Sequence, residues 1–301
     1  MGQLLLAVAV ALALLGDASG QATPAAPATP AASQTSARGR IILHSFEHAP
    51  YPHASREDGW TYKDRKFPRE PNYSDSTVGI VIPAGYTPGE SVDYIVHFHG
   101  WSNHVAKVIP QYQLLEQLAA SKVNAILLVP QGPKDAQDSG GGKLENDPGA
   151  FAKLIDEVTA YLNSTGEIHT HRVGRIVLTA HSGGYKVTAA ITHLGGMNDR
   201  ITDVLLLDAS YGSLEWFADW AKADPSHRLV SLFTDHLADA NQELMGDLDK
   251  LGVKHITLDE PTLTDEQLRQ RTVIFMHVKG PHDEVPKQYF GQLIRTSALA
   301  K

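Results

Sequence analysis

Arg175-Ile-Val-Leu-Thr-Ala-His-Ser-Gly-Gly-Tyr-Lys-Val-Thr-Ala-Ala-Ile-Thr-His-Leu194 decides how this chain is read. Arg175 to Ala180 is β-rich and almost wholly apolar, as a central strand covered on both faces must be. From Tyr185 the apolar positions Val187, Ala190, Ile191 and Leu194 recur at helical spacing. Only Ala180-His-Ser-Gly-Gly184 separates the two patterns, so a strand turns into a helix at Ser182 with no ordinary loop. The small residues at 180, 183 and 184 let strand and helix approach while the serine takes a strained conformation with its Oγ exposed. The backbone N–H of Gly183 faces the same space. A helix N-terminus behind it adds partial positive charge where an oxyanion would form.

Working outward, the same alternation continues. Strands are expected at Ile41–Leu43, Thr77–Ile82, Val92–Phe98, Ala125–Val129, Val204–Leu207, Leu229–Phe233 and Val273–Met276. Helices are expected around Gln113–Ala120, Phe151–Leu162, Leu214–Ala223, Asp239–Leu251, Thr264–Arg269 and from Pro286 onward. Strands alternating with helices mean a mostly parallel central sheet with helices on both faces. No internal repeat and no second core emerge.

Residues 1–22 carry a twelve-residue apolar run, Leu4 to Leu15, followed by small residues. The run is too short for a comfortable membrane span and suits a secretory signal peptide, although its leading segment has no Lys or Arg. Residues 23–37 are rich in Ala, Pro, Thr and Ser and read as a linker, leaving 38–301 as a single domain. No cysteine occurs in the 301 residues, so disulfides, thiolate nucleophiles and cysteine-held zinc are excluded. An exported chain without cysteine fits a bacterial source and a secreted or periplasmic location. The net charge of -8 argues against nucleic acid as a partner and against anchoring on anionic lipid once the leader is removed.

An acyl-transfer site needs a nucleophile, a base, an acid to orient the base and two oxyanion donors. Each belongs beyond the carboxyl end of a strand. His282 lies a few residues past the last strand, in Gly280-Pro-His-Asp-Glu-Val-Pro286. Asp208 and Asp235 end successive strands and compete for the acid, Asp208 being preferred because it leaves an apolar strand into a turn of small residues. Gly183 N–H is one oxyanion donor. The other is expected from His97-Phe-His-Gly-Trp101, with Trp101 N–H ahead of Gly100.

The Ala-His-Ser-Gly-Gly turn, the upstream His-x-His-Gly-Trp and the late strand followed by His resemble a serine hydrolase of the α/β-hydrolase superfamily, of the esterase or lipase kind. The likeness runs from about Arg40 to the C-terminus. Ala180 departs from the usual glycine. The resemblance implies an α/β-hydrolase fold and cleavage of an ester, less so an amide, through an acyl-enzyme on Ser182. His282 would be the base, Asp208 or Asp235 its partner, and Gly183 with Trp101 the oxyanion donors. It implies no cofactor, and a small-molecule or polymeric ester as substrate.

Two rivals are kept. One is a binding protein that has the fold without the catalysis. The other is a metal-dependent hydrolase using His97 and His99, with His104 nearby and a second His-x-His pair at His169 and His171; two imidazoles are too few, and no HExxH helix adds more. Gly140-Gly-Gly-Lys143 lacks the spacing of a phosphate loop. Leu214–Ala223, with Trp216, Phe217 and Trp220, is either a core helix or an aromatic cap over a pocket.

Overall fold

The computed structural model describes residues 32–260 and 263–300. The proposed signal peptide and the first part of the linker lie outside them. The strands are β1 (Ala32–Ser36), β2 (Gly39–Ser45), β3 (Trp60–Tyr62), β4 (Arg65–Phe67), β5 (Thr77–Pro83), β6 (Val92–Phe98), β7 (Ile126–Pro130), β8 (Val173–His181), β9 (Ile201–Leu207), β10 (Arg228–Phe233), β11 (His255–Asp259) and β12 (Val273–His277). The helices are α1 (Arg69–Asn72), α2 (Val105–Gln111), α3 (Leu114–Ser121), α4 (Lys143–Asn146), α5 (Ala150–Ser164), α6 (Tyr185–Leu194), α7 (Leu214–Ala223), α8 (Ala238–Leu251), α9 (Asp265–Leu268) and α10 (Val285–Arg295).

Ten strands form one sheet in the order β1-β2-β5-β7-β6-β8-β9-β10-β12-β11. β1, β2 and β5 are antiparallel to their neighbours, and every pairing from β7 to β11 is parallel. The two-residue period of the strands sends alternate side chains to two cores. Val78, Ile80, Tyr94, Val96, Ile176, Leu178, Val204 and Leu206 meet α5, α6, α7 and α8 on one face. Val81, Ile95, Val177, Leu205 and Leu207 meet α2, α3 and α10 on the other. Both faces are therefore covered, and the central strands read as continuous apolar runs for that reason.

After β6 the chain crosses to β7 on one side and returns to β8 on the other, so β6 and β8 become neighbours with Phe98 opposite Ala180. The crevice beyond their carboxyl ends is where such a reversal places ligands. There the strand-end sequences His99-Gly100-Trp101 and His181-Ser182-Gly183 emerge side by side.

Several expectations are corrected, and one open alternative is decided. The folded chain begins earlier than Arg38: Ala32–Ser36, inside the segment read as linker, pairs antiparallel with β2. Its side chains from Ser33 to Ser36 are exposed, so backbone pairing holds it and no apolar pattern announces it. A small aromatic cluster of Tyr51, Phe67, Tyr73 and Ala136 stands apart from the two main cores. It supports the β3–β4 hairpin, with Arg56 hydrogen bonded to Asp138 at 2.6 and 3.0 Å. α7 is a core helix and not a cap: Phe217 and Trp220 are buried, and Trp216 stacks on His193 at 4.6 Å between centroids. Among the described residues, no helix is long and apolar enough to cross a membrane.

Below the site, Asp203 and Arg228 form a fully buried pair at 2.6 Å. Arg271 adds a second cation to the same carboxylate oxygen at 2.8 Å.

Candidate active site

Ser182 has φ of 53°, the left-handed conformation that the tight turn from β8 to α6 imposes on it. The packing around it shows why glycines flank it. A Cβ on Gly100 would lie 2.6 Å from Ser182 Cβ and 3.0 Å from its Oγ, and a Cβ on Gly183 would lie 2.7 Å from the Trp101 ring and 2.8 Å from Ser139 Oγ. The loop after β6 and the elbow after β8 can meet only because both positions lack a side chain.

Asp208 and Asp235 have different partners. Asp208, with φ of 52° at the end of β9, is fully buried, and its Oδ2 lies 2.6 Å from His282 Nδ1. Thr234 N–H donates to its Oδ1 at 2.8 Å and Thr234 Oγ1 lies 2.8 Å from its Oδ2. Burial opposes the charge, but the hydrogen bonds from His282 and Thr234 outweigh it and hold the carboxyl below its ordinary value. Asp235 turns outward instead: its side chain is 97% exposed and pairs with His277 at 2.7 Å. An ionised Asp208 fixes the His282 tautomer with the proton on Nδ1, leaving Nε2 free to accept one. Among the described residues no direct hydrogen bond joins Ser182 Oγ to His282 Nε2, and the Ser182 hydroxyl sits instead beside the Tyr211 phenol. Such pairs often tighten only once substrate is bound.

Two histidines organise this site in ways the sequence does not announce: His181 is given no role there, and His99 is weighed only as a metal ligand. His181, immediately before the serine, is buried with its ring 4.5 Å from that of His282. Its Nε2 lies 3.3 Å from the His282 carbonyl, and Tyr112 Oη lies 3.1 Å from its Nδ1. Burial, with the neighbouring His282 and His97, pushes its pKa well down, so it is a neutral support for the loop that carries His282. His99 has Nδ1 2.8 Å from the Gly100 carbonyl, while its Nε2 accepts from Gly132 N–H at 3.2 Å and faces Gln131 Nε2 at 3.2 Å. The Gly100 carbonyl and the Trp101 N–H share one peptide plane. Fixing the carbonyl therefore fixes the direction of the Trp101 N–H.

This arrangement leaves His97 and His99 without the geometry of metal ligands. His97 is fully buried with Nδ1 on Thr179 Oγ1 at 2.7 Å, and both nitrogens of His99 are engaged. His169 and His171 are exposed in the loop before β8. Among the described residues, the His and Asp triplets with ligand atoms within 4.8 Å of one another are His181/His282/Asp283 and Asp208/His236/His282, which include neither His97 nor His99. Their shared member, His282, is already bonded to Asp208.

A cavity of about 200 Å³ opens over the serine, lined by Trp101, Ser139, Ser182, Gly183, Tyr185 and Tyr211. Trp101 Nε1 donates to Ser139 Oγ at 2.8 Å, and its ring meets Tyr62 edge-on at 4.9 Å. The β3–β4 hairpin thus braces one wall.

No protein-family model matches the sequence, and neither does any curated protein. Solved structures do. A serine-to-alanine mutant of the feruloyl esterase module from Clostridium thermocellum, complexed with sinapinate, aligns with a TM-score of 0.55 at 12% identity, covering 86% of this chain and 88% of that one. A ferulic acid esterase aligns with a TM-score of 0.50 at 13% identity over 74% of this chain and 92% of that one. At such identities the likeness speaks for the fold, and together with the sheet order and the strained serine at its reversal it shows that this chain has the α/β-hydrolase fold.

Proposed function

We propose that the chain is a serine hydrolase that cleaves a carboxylic ester through an acyl-enzyme on Ser182. The observation that carries this reading is the 2.6 Å contact between buried Asp208 and His282 Nδ1, beside a serine held at φ of 53°. Ser182 Oγ attacks the ester carbonyl as its proton passes to His282 Nε2. The imidazolium so formed is stabilised by Asp208. The carbonyl electron pair moves onto oxygen, where the N–H groups of Gly183 and Trp101 receive it. Collapse breaks the bond to the alcohol oxygen, which takes the proton from His282 Nε2 and leaves. Water then repeats the sequence on the acyl-enzyme, and the acid is released. His99 and His181 act through others, the first by aiming the Trp101 peptide and the second by supporting His282.

The mechanism calls on no cofactor, and its partner is the ester itself. Export by cleavage of residues 1–22 belongs to the same proposal and rests on the apolar run alone. Labelling with a fluorophosphonate probe tests the central claim: the tag should map to Ser182, and Ser182→Ala should fold without turnover. A folded chain that refuses the probe would instead identify a binding protein on a hydrolase fold.

A further inference from the structure

Tyr211 is 43% exposed and lines the cavity over Ser182, yet its hydroxyl is held from behind. His236 Nε2 lies 2.7 Å from Tyr211 Oη, and His236 Nδ1 lies 2.7 Å from Thr234 Oγ1. Thr234 Oγ1 in turn lies 2.8 Å from Asp208 Oδ2. The carboxylate that orients His282 thus ends a second chain of hydrogen bonds that comes back to the mouth of the same site.

The direction of that chain follows from proton count. An ionised Asp208 only accepts, so Thr234 gives it the hydroxyl proton. Thr234 Oγ1 must then accept from His236 Nδ1–H. With its one ring proton on Nδ1, His236 presents a bare Nε2, to which Tyr211 donates its only proton. What Tyr211 turns toward the cavity is therefore oxygen lone pairs. Burial and the nearby Asp208 charge raise the pKa of Tyr211, so the phenol keeps its proton through the neutral range.

The loop is rigid behind the tyrosine. Asn241 Nδ2 donates to Ser210 Oγ at 2.9 Å, Ser231 donates to Asn241 Oδ1 at 2.6 Å, and Ser210 and Ser231 hydroxyls lie 3.3 Å apart, a closed buried ring beside Tyr211. The side of the cavity is also defined. Trp101 and Gly183 lie on the oxyanion side, whereas the Tyr211 ring stands edge-on to His282 at 6.3 Å. The departing alcohol must reach His282 Nε2 to take its proton, so the alcohol part of the ester is what passes Tyr211.

We infer that Tyr211, oriented by His236, accepts a hydrogen bond from a second hydroxyl on the alcohol, so that the site favours monoesters of diols, polyols or sugars over esters of simple alcohols. This rests on the ester-hydrolase reading of Ser182. Tyr211 is a binding residue in that scheme and His236 a positioning residue.

The experiment compares ethyl butyrate with 2-hydroxyethyl butyrate, which share an acyl group. The quantity read is the ratio of kcat/KM for the hydroxylated over the plain ester. Intrinsic reactivity cancels when the wild-type ratio is divided by that of a variant. Tyr211→Phe, which removes the acceptor and keeps the ring, should lower the ratio about fivefold to tenfold, the worth of one neutral hydrogen bond. His236→Phe, which frees the tyrosine hydroxyl, should lower it in the same direction by a smaller factor. A ratio within twofold of wild type in Tyr211→Phe overturns this inference, while fluorophosphonate labelling of Ser182 would still uphold the hydrolase reading. Hydrolysis of neither ester by a wild-type protein that the probe also fails to label would overturn both.

Discussion

Asp208→Asn and Asp235→Asn should differ in effect by orders of magnitude, and the structure supplies the reason. Thr234 N–H, at 2.8 Å from Oδ1, has to keep an acceptor. The asparagine carbonyl therefore takes the Oδ1 place and its NH2 takes the Oδ2 place. That NH2 now faces His282 Nδ1, previously 2.6 Å from a carboxylate oxygen. Two donors cannot share a proton, so the imidazole adopts the tautomer with hydrogen on Nε2, the atom that accepts the Ser182 proton in the proposed mechanism. A wrong tautomer with intact geometry in a Ser-His-Asp site costs about 10⁴ in kcat. We expect roughly three to four orders of magnitude here, or about 4 to 5.5 kcal/mol of barrier. Asp235, almost wholly exposed on His277, should change turnover by less than about twofold when amidated, as exposed pairs carry little. Initial rates on a chromogenic ester and fluorophosphonate labelling rates would measure both, with thermal melts to confirm folding. Retention of more than a tenth of wild-type turnover in Asp208→Asn, or a hundredfold loss in Asp235→Asn, would refute the assignment.

Two further outcomes follow from the packing. Gly100→Ala places a methyl group 2.6 Å from Ser182 Cβ; a displacement of this kind should cost about a hundredfold or more in kcat with the far-UV spectrum retained, and wild-type turnover would contradict the close approach. Burial pushes the pKa of His97 down to about 3, with a lesser push from His99, so between about pH 6.5 and 3 the unfolded chain binds a proton that the folded chain does not. Stability then rises with pH across that window, by about 1.4 kcal/mol per unit for this one group. Urea unfolding of wild type and His97→Gln from pH 7 to 4.5 should show the wild-type advantage shrinking by that amount per unit on acidification; a constant difference would show that His97 is not neutral in the folded state.

The sequence announces the parts of this molecule that local chemistry decides. A nine-residue strand, one strained serine and a helix leave little choice at Ser182, and helix Leu214–Ala223 is found at its expected bounds. Asp208 and Asp235 are different, because both end apolar strands that lie side by side with Leu207 opposite Leu232. Which carboxylate turns inward depends on Thr234 and on where the His282 loop arrives, and neither is a local property. His97 and His99 carry the same difficulty. Their spacing suits a metal as well as it suits two buried rings, and only the Thr179 hydroxyl and the Gly100 carbonyl show how the nitrogens are used. β1 and the β3–β4 hairpin escape notice because they bury little and exist by pairing. His236 and Tyr211 give no signal at all, since they come from two different strand ends and reach Asp208 only through Thr234.

The Arg228 cluster has a consequence for the way the far end of the protein is closed. Helices finish with carbonyl groups that lack partners inside the helix, and surface helices satisfy them with water or with a glycine turn. Leu268 at the end of α9 and Leu293 in the last turn of α10 are both buried, where water is scarce. Arg228 donates to Leu268 O at the end of α9 and to Leu293 O in the last turn of α10, while its Nε holds Asp203. One buried guanidinium thereby caps two helices, and its charge lies where the negative ends of their dipoles converge. A lysine carries its charge at a single point and lacks the planar fork that spans such separated acceptors. The loop bearing His282 runs between β12 and α10, so the helix that fixes its exit is itself fastened at the other end by that cap.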